Sequence, residues 1–220
     1  MGYNWDFLYI LHYIPELLDG GLNTLKLLVS ALIIAVPLGL TLGILRQQKV
    51  PILGWLAVLY IDFFRSSVAL VLIYWCYFAL PIVVGVAINT YLAVTLALGL
   101  QAAAFMAEIV RGGITSISRG QWEAARALGM RKMTCMRYVI LPQAYRRMIP
   151  IFFLLVVEVI KNTALAGVVT YKELFYVAFN VSSETYKSLE TFTIVGLIYF
   201  VVIYGASSLS RLLERKMASR

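Results

Sequence analysis

The chain has 220 residues, of which 61% are hydrophobic and 14% are charged, and its formal net charge at pH 7 is +8. Soluble domains are about half apolar and about a quarter charged, so this composition excludes a protein whose main solvent is water. A positive charge of this size could indicate nucleic-acid binding in a soluble protein. Here the basic residues lie between apolar stretches, so we expect membrane lipid and no nucleic acid as a partner.

Five apolar stretches follow one another along the chain. A hydrocarbon core about 30 Å thick requires about 20 mostly apolar residues in a helix, a length that these stretches reach. Because lipid offers no water to the backbone, and because the alternating pattern of barrel strands is absent, the stretches predict helices. We therefore predict an all-α integral membrane protein, a single domain over residues 1–220. Its five transmembrane helices are expected at about 24–45, 51–80, 87–110, 148–169 and 191–213.

The second stretch is too long to lie in hydrocarbon as one straight helix, and its first half contains Asp62 and Arg65. We expect that half to lie near one membrane face and the second half to lie deeper. Asp62 and Arg65 are three positions apart on a helix, so we expect them to pair locally. The same local pairing is expected of Glu108 and Arg111 in the third stretch.

Lysine and arginine are distributed unequally between the two sides of the membrane. Only Lys172 and Lys187 lie on one side. Because positively charged loops stay in the cytoplasm, we expect the richer side to be cytoplasmic, with the amino terminus outside and the carboxyl terminus inside the cell. The fourteen basic residues on that side are Arg46, Lys49, Arg111, Arg119, Arg126, Arg131, Lys132, Arg137, Arg146, Arg147, Arg211, Arg215, Lys216 and Arg220.

The predicted cytoplasmic loop at residues 111–147 is patterned for structure of its own. Ser118 and Gln121 fit a capping box, which predicts that a helix begins there. Good helix formers follow and end at Gly129, a residue typical of the left-handed position after a helix. A second helix is expected over residues 131–141 and should stop before Pro142, because a residue that precedes proline is biased away from helix. The loop is therefore predicted to be a helix, a sharp turn and another helix outside the bilayer.

The residues of the first loop helix allow two interpretations. The small surface formed by Ala124, Ala127 and Leu128 could let the backbone of a partner approach closely, and Glu123 could accept hydrogen bonds from a basic partner. Alternatively, the alanines favour helix formation and pack against the protein's own spans. The chemistry of these residues alone leaves both interpretations open.

One set of loop residues has a recognisable spacing: Glu123, Ala124 and Ala125, then Gly129, then Leu141 and Pro142. This pattern resembles the EAA signature of the membrane permeases of ATP-binding-cassette (ABC) importers, with Val139 where that signature usually has isoleucine. The likeness covers residues from about 20 to 215 and narrows to the polar amino acid permeases. Residues 64–68 depart from it, because family members often have an Arg-Gly-Thr-Pro-like turn there. The supporting segments are residues 107–114, 140–144 and 161–165.

The resemblance implies a type I ABC importer permease-like fold that forms half of an alternating-access path for a polar amino acid or similar small solute in a bacterial inner membrane. It also implies that the EAA loop contains a coupling helix that docks on a cytoplasmic ATPase. The partners implied are a second permease subunit, identical or related, two ATPase subunits and an extracytoplasmic solute-binding protein. The residues implied in ATPase coupling are Glu123, Ala124, Ala125, Ala127, Leu128, Gly129, Leu141 and Pro142.

The chain carries no Gly-x-x-x-x-Gly-Lys-Ser/Thr phosphate loop. We therefore expect no enzymatic activity and no bound cofactor in this chain, with ATP and Mg²⁺ on the partner ATPase. One histidine and two distant cysteines assemble neither a catalytic group nor a metal site.

Four polar residues interrupt the apolar fourth span. An unpaired charge at the bilayer centre costs about 3 kcal/mol on insertion scales, so these side chains should face the protein interior or pair with one another. Glu158 and Lys161 could neutralise one another as an i, i+3 ion pair at a subunit interface. Alternatively, they line the path, where a zwitterionic amino acid requires both charge signs. The candidate path residues are Glu158, Lys161, Asn162 and Thr163.

A competing interpretation is an ATP-independent secondary transporter or channel subunit. Such proteins typically have more spans or an inverted repeat, and no convincing internal repeat is visible in this sequence.

Overall fold

The computed structural model describes residues 5–47 and 51–218, and the side chains of residues 5–47 and 52–212. Lys49 and Arg220, which contribute to the predicted orientation, lie outside the described residues, as do the side chains of Arg215 and Lys216. Every regular element in the described ranges is helical, which confirms the predicted all-α fold.

The helices are, in chain order, α1 (Phe7–Leu11), α2 (Ile14–Gln47), α3 (Pro51–Ser66), α4 (Ala69–Tyr74), α5 (Leu80–Val84), α6 (Thr90–Thr115), α7 (Arg119–Ala127), α8 (Lys132–Cys135), α9 (Leu141–Thr163), α10 (Leu174–Thr185) and α11 (Ser188–Ala218). Neighbouring helices are joined by π-helical turns at Trp75–Ala79 and Met136–Ile140 and by a 3₁₀ turn at Ala164–Val169.

In the described part of the chain, four helical runs are long and apolar enough to cross a membrane, or five if one bent pair counts as a span. The bent pair is Ile52–Ser66 with Ala69–Val84, at an angle of 107°. Helices extend beyond the predicted apolar limits, and α2 already begins at Ile14. Hydropathy marks the part of a helix that can lie in lipid and does not mark where the helix ends. The four unbent runs are Ile14–Gln47, Thr90–Thr115, Lys132–Val169 and Ser188–Leu212.

The bend in the second span lies at Ser67 and Val68, where Val68 has extended backbone angles. The break frees the carbonyl of Ser67, and the side chain of Gln101 on α6 donates a hydrogen bond to it at 2.7 Å. Gln101 is 7% exposed, so its amide has few other partners available. The polar group that the break leaves inside the protein is therefore satisfied.

Helices α2 and α6 pack backbone against backbone. Gly39 and Gly43 lie four residues apart on α2 and face α6, as in the small-xxx-small interfaces of membrane helices. A Cβ atom added at Gly39 would lie 2.5 Å from the Cβ of Met106, and one added at Gly43 would lie 2.7 Å from the Cβ of Val110. Only glycine permits this approach between α2 and α6, and α3 and α9 pack against the same two helices.

The first loop helix, α7, begins directly after Ser118 as predicted and ends in a turn where Gly129 has φ +73°. The amide of Met130 donates to the carbonyl of Ala125 at 3.1 Å, and the Gly129 amide donates to a carbonyl three residues back, which is a Schellman motif. The predicted capping box is wrong, because the Ser118 side chain makes no capping hydrogen bond. The Gln121 side chain instead accepts a hydrogen bond from Gln143 on α9 at 3.1 Å.

The prediction that the second loop helix stops before Pro142 is also wrong. The chain stays helical from Lys132 to Val169. The π-helical turn explains how proline is accommodated, because the Leu141 amide bonds to the carbonyl of Met136, five residues back. Pro142 then falls at the start of α9, directly after this wider π-helical turn. The loop is thus continuous with the fourth span.

Glu173 is fully buried and caps the amino terminus of α10, between two of the spanning runs. Its carboxylate accepts hydrogen bonds from the amides of Phe175 at 2.7 Å and Tyr176 at 2.6 Å, and from the hydroxyl of Tyr199 at 3.2 Å. Burial raises the pKa of Glu173 to about 7 from 4.5, although these hydrogen bonds act in the opposite direction.

We expect the thermal stability of the protein to fall between pH 5 and about pH 8, and Glu173→Gln to flatten this decline. The folded state binds the Glu173 proton more tightly than the unfolded chain does. The stability that this proton contributes is therefore present below pH 4.5 and lost as the pH rises through about 7. The shift corresponds to about 3 kcal/mol. Thermal unfolding in detergent across this pH range checks it, and equal slopes for both proteins would contradict the assignment.

Candidate functional site

The outward face of α7 is formed by the residues that the EAA resemblance singles out. Glu123, Ala124 and Ala127 are exposed, and Leu128 is 81% exposed. Ala125 alone among the three alanines faces inward, at 3% exposure. The interpretation that the alanines pack on the protein's own spans therefore holds for Ala125 and not for the other two.

The inward face of α7 is fastened to the membrane part of the chain. Trp122 is half-buried and packs against the main core cluster. The Gln143 side chain joins Gln121 of α7 to α9, and Arg147 of α9 donates to the carbonyl of Ser116, which ends α6 just before α7. A displacement of α7 would therefore act directly on the start of α9. Of the remaining predicted coupling residues, Leu141 is half-buried, and Gly129 and Pro142 are exposed.

An open-sided cavity of about 350 Å³ lies between α3, α6 and α9. Arg65, Glu108 and Glu158 supply its polar groups, and its walls are mostly apolar. A narrow cleft of about 10 Å³ continues from it, lined by Gln101 and Asn162 among others. Phe105, Leu155 and Glu158 line both spaces, so Glu158 lies at their junction.

The four candidate path residues occupy different environments. Glu158 is exposed and lines the cavity and the cleft, and Asn162 is half-buried and lines the cleft. Lys161 is exposed and Thr163 is fully buried, and neither lines these two spaces. The hydroxyl of Thr163 donates to the carbonyl of Ile160 at 2.6 Å. The structure thus brings Glu158 and Asn162 together and directs the other two side chains elsewhere.

Glu158 and Lys161 do not form the suggested i, i+3 ion pair. Among the described side chains, the ion pairs within 4.0 Å involve Glu108 and Asp6 as the acids and not Glu158. Glu158 lines the cavity, and Lys161 does not.

Glu108 is the centre of a charged cluster that joins three helices. Its carboxylate pairs with Arg46 of α2, with Arg111 of its own helix at 2.9 Å and with Arg65 of α3 at 3.6 Å. The predicted Glu108–Arg111 pair is confirmed. The predicted Asp62–Arg65 pair is wrong, because Arg65 turns toward Glu108 instead.

Helical spacing could not have shown the links from Arg46 and Arg65 to Glu108. Arg46 and Glu108 are 62 positions apart in the sequence, and only the packing of α2 on α6 brings them together. Groups of three or more metal-ligating side chains do not occur among the described residues.

The chain resembles known transport proteins over nearly its full length. Residues 35–219 match the family described as binding-protein-dependent transport system inner membrane component. The arginine transport system permease protein ArtQ of Bacillus subtilis is 33% identical over 98% of this chain and 99% of its own length. The glutamate/aspartate import permease protein GltK of Escherichia coli O6:H1 is 33% identical over 98% of this chain and 100% of its own.

Solved structures share the fold. A chain from a crystal structure of an amino acid ABC transporter with histidines superimposes with a TM-score of 0.92 at 33% identity, covering 97% of this chain and 100% of that one. A chain of the MetNI methionine ABC transporter in an inward-facing conformation superimposes with a TM-score of 0.71 at 22% identity, covering 91% of this chain and 97% of that one. This protein therefore belongs to the family of inner membrane components of binding-protein-dependent transport systems, as a membrane permease subunit of the ABC importer class.

Proposed function

We propose that this permease carries a polar amino acid or a similar small solute across a bacterial inner membrane and forms half of the translocation path. The observation that carries the proposal is the interhelical cavity beside Glu158, which offers charged groups of both signs within apolar walls. Membrane segments tolerate such groups mainly where they line a path or pair. Curated relatives carry the names of arginine, glutamate/aspartate and glutamine permeases, which supports a polar amino acid as the solute.

The energy for transport comes, in this proposal, from ATP and Mg²⁺ bound by two partner ATPase subunits. The exposed face of α7 is the docking surface for one ATPase, with Glu123, Ala124, Ala127 and Leu128 in contact. The turn after α7 and the start of α9 hold this face in position, through Ala125, Gly129, Leu141 and Pro142. An exposed leucine beside small residues favours insertion of the helix into a groove on a partner. The links of α7 to α9 would transmit the movement to the wall that carries Glu158.

The path itself is proposed to run past Glu158 and Asn162. Lys161 and Thr163 would join it only in another conformation of alternating access, since neither lines the cavity or the cleft in this one. Rocking of helices around a site near the midplane exposes different side chains in turn.

The remaining partners follow from the proposed topology. The amino terminus faces outside, where an extracytoplasmic solute-binding protein delivers the solute, and the carboxyl terminus lies in the cytoplasm. A second permease subunit, identical or related, supplies the other half of the path.

Affinity purification followed by reconstitution tests this function against an ATP-independent transporter or channel. The tagged permease is isolated in detergent, and the assembled complex is placed in vesicles with its binding protein. The proposal expects a co-purifying ATPase and uptake of radiolabelled arginine, glutamate or glutamine that requires ATP. A chain that takes up these solutes alone, without ATP, would establish the competing function.

We expect Glu158→Gln to weaken solute affinity about tenfold and to leave assembly with the ATPase unchanged, because the loss of one charge-assisted hydrogen bond costs about 1.5 to 3 kcal/mol. Lys161→Met is the comparison variant and should have a smaller effect, since Lys161 lines neither space. Concentration-dependent uptake and the yield of the complex provide the measurement. Lost assembly with unchanged affinity would instead favour a role for Glu158 at the subunit interface.

A further inference from the structure

Arg65 is the one arginine of the Glu108 cluster that lines the interhelical cavity. Its closest nitrogen lies 3.6 Å from the Glu108 carboxylate, beyond hydrogen-bond distance. Arg46 and Arg111 already donate hydrogen bonds to both carboxylate oxygens. Three guanidinium groups thus share one carboxylate, and in the described part of the chain the hydrogen-bond donors of Arg65 are unused.

Glu158 presents the complementary charge to the same cavity. Its carboxylate has no hydrogen bond or ion pair with any described residue. The walls between Arg65 and Glu158 are mostly apolar and include Phe105, Ile151 and Leu155. Arg65, which shares the Glu108 carboxylate with two other arginines, and Glu158, which has no ion pair with a described residue, therefore line the same space of about 350 Å³.

Charged groups between membrane helices are costly unless a partner compensates them. A solute that carries a carboxylate and a cationic group satisfies both at once. The planar guanidinium matches a carboxylate with two parallel hydrogen bonds, which no neutral group can reproduce.

We propose that Arg65 is a specificity-determining residue that binds the α-carboxylate of the transported amino acid, while Glu158 binds a cationic group of the same solute. This assignment rests on the proposed function, because it requires an amino acid to enter the cavity. Arg46 and Arg111 have a different role: they hold Glu108 and do not line the cavity.

Direct binding to the purified permease–ATPase complex, without the binding protein, tests the assignment. The probes are L-arginine, L-glutamate and L-glutamine, each compared with the analogue in which the α-carboxylate is an amide. The wild-type complex should prefer at least one amino acid over its amide about tenfold. Arg65→Gln should remove this preference and weaken binding of the acid about tenfold, while binding of the amide stays within about twofold.

Arg111→Gln is the matched control, since it removes a guanidinium from the same carboxylate but not from the cavity. It should keep the preference for the carboxylate. A preference retained in Arg65→Gln, or lost equally in Arg111→Gln, would overturn the assignment, as would the absence of any preference in the wild type. If Arg65→Gln does not assemble, Arg65→Lys replaces it, and wild-type affinity in that variant would also overturn the assignment.

Failure of this inference is distinguishable from failure of the proposed function. ATP-dependent uptake by the wild-type complex with its binding protein establishes the function even if Arg65 does not affect selectivity. Absence of uptake for every solute tested would count against the function itself.

Discussion

Glu123→Lys is expected to leave the permease inserted in the membrane and to abolish both solute uptake and transport-coupled ATP hydrolysis. Glu123 lies on the exposed face of α7 and makes no ion pair with another described residue. In the proposed complex it faces a basic group of the ATPase, so the substitution places like charges together. Such contacts cost several kcal/mol, and about 3 kcal/mol reduces affinity more than about a hundredfold.

Two control variants separate docking from general damage. Arg137→Glu makes a charge change of the same size at another exposed position of the loop, outside α7, and should retain most uptake. Glu123→Gln removes the charge without reversing it and should give an intermediate result. Membrane yield, ATPase co-purification and uptake are measured for each variant. Normal uptake by Glu123→Lys would refute the docking role.

The all-helical membrane fold could be predicted because it depends on a dominant local property. Long apolar stretches have one stable backbone solution in lipid, so hydropathy identified the spans without knowledge of their packing. The excessive length of the second stretch likewise indicated that it is not a straight helix, and the 107° bend agrees with that. Hydropathy contained no information on the angle or on the hydrogen bond that Gln101 donates to the freed carbonyl of Ser67.

Two local rules failed in the loop. Ser118 and Gln121 have the capping-box spacing, but Gln143 of α9 takes the Gln121 side chain. Pro142 has the local preference of a helix breaker, and a shift to π-helical bonding one turn earlier removes the conflict. In the first case a group on another helix takes the side chain, and in the second case the helix itself adjusts within one turn.

The candidate site, too, could be predicted from the sequence only in part. The residues of the proposed docking face were found through a resemblance, because the EAA signature lies within one contiguous segment. The Glu108 cluster was only partly predicted, since Arg111 is a helical neighbour whereas Arg46 and Arg65 come from other helices. Glu158 was identified as a polar residue in an apolar span, but its position in the same cavity as Arg65 required the packing of α3 and α9 against α6.

Gly39→Ala is expected to lower the thermal unfolding temperature of the permease. The added Cβ atom would lie 2.5 Å from the Cβ of Met106 and 2.8 Å from the carbonyl oxygen of Ala103. Backbone atoms cannot rotate away as a flexible side chain can, so α2 and α6 must separate. Overpacking of this kind typically costs about 1 to 3 kcal/mol, which outweighs the 0.5 to 1 kcal/mol or so that alanine gains in helix propensity.

The same substitution at Gly21 is the matched control, because it lies on the same helix and an added Cβ atom there would meet nothing within 4 Å. Gly21→Ala should keep the gain in helix propensity without a clash and raise the unfolding temperature by about 2 to 4 °C per kcal/mol gained. Unfolding in detergent, followed by circular dichroism, should therefore give changes of opposite sign for the two variants. A Gly39→Ala protein as stable as Gly21→Ala would mean that α2 and α6 are not in backbone contact, because the clash alone distinguishes the two positions.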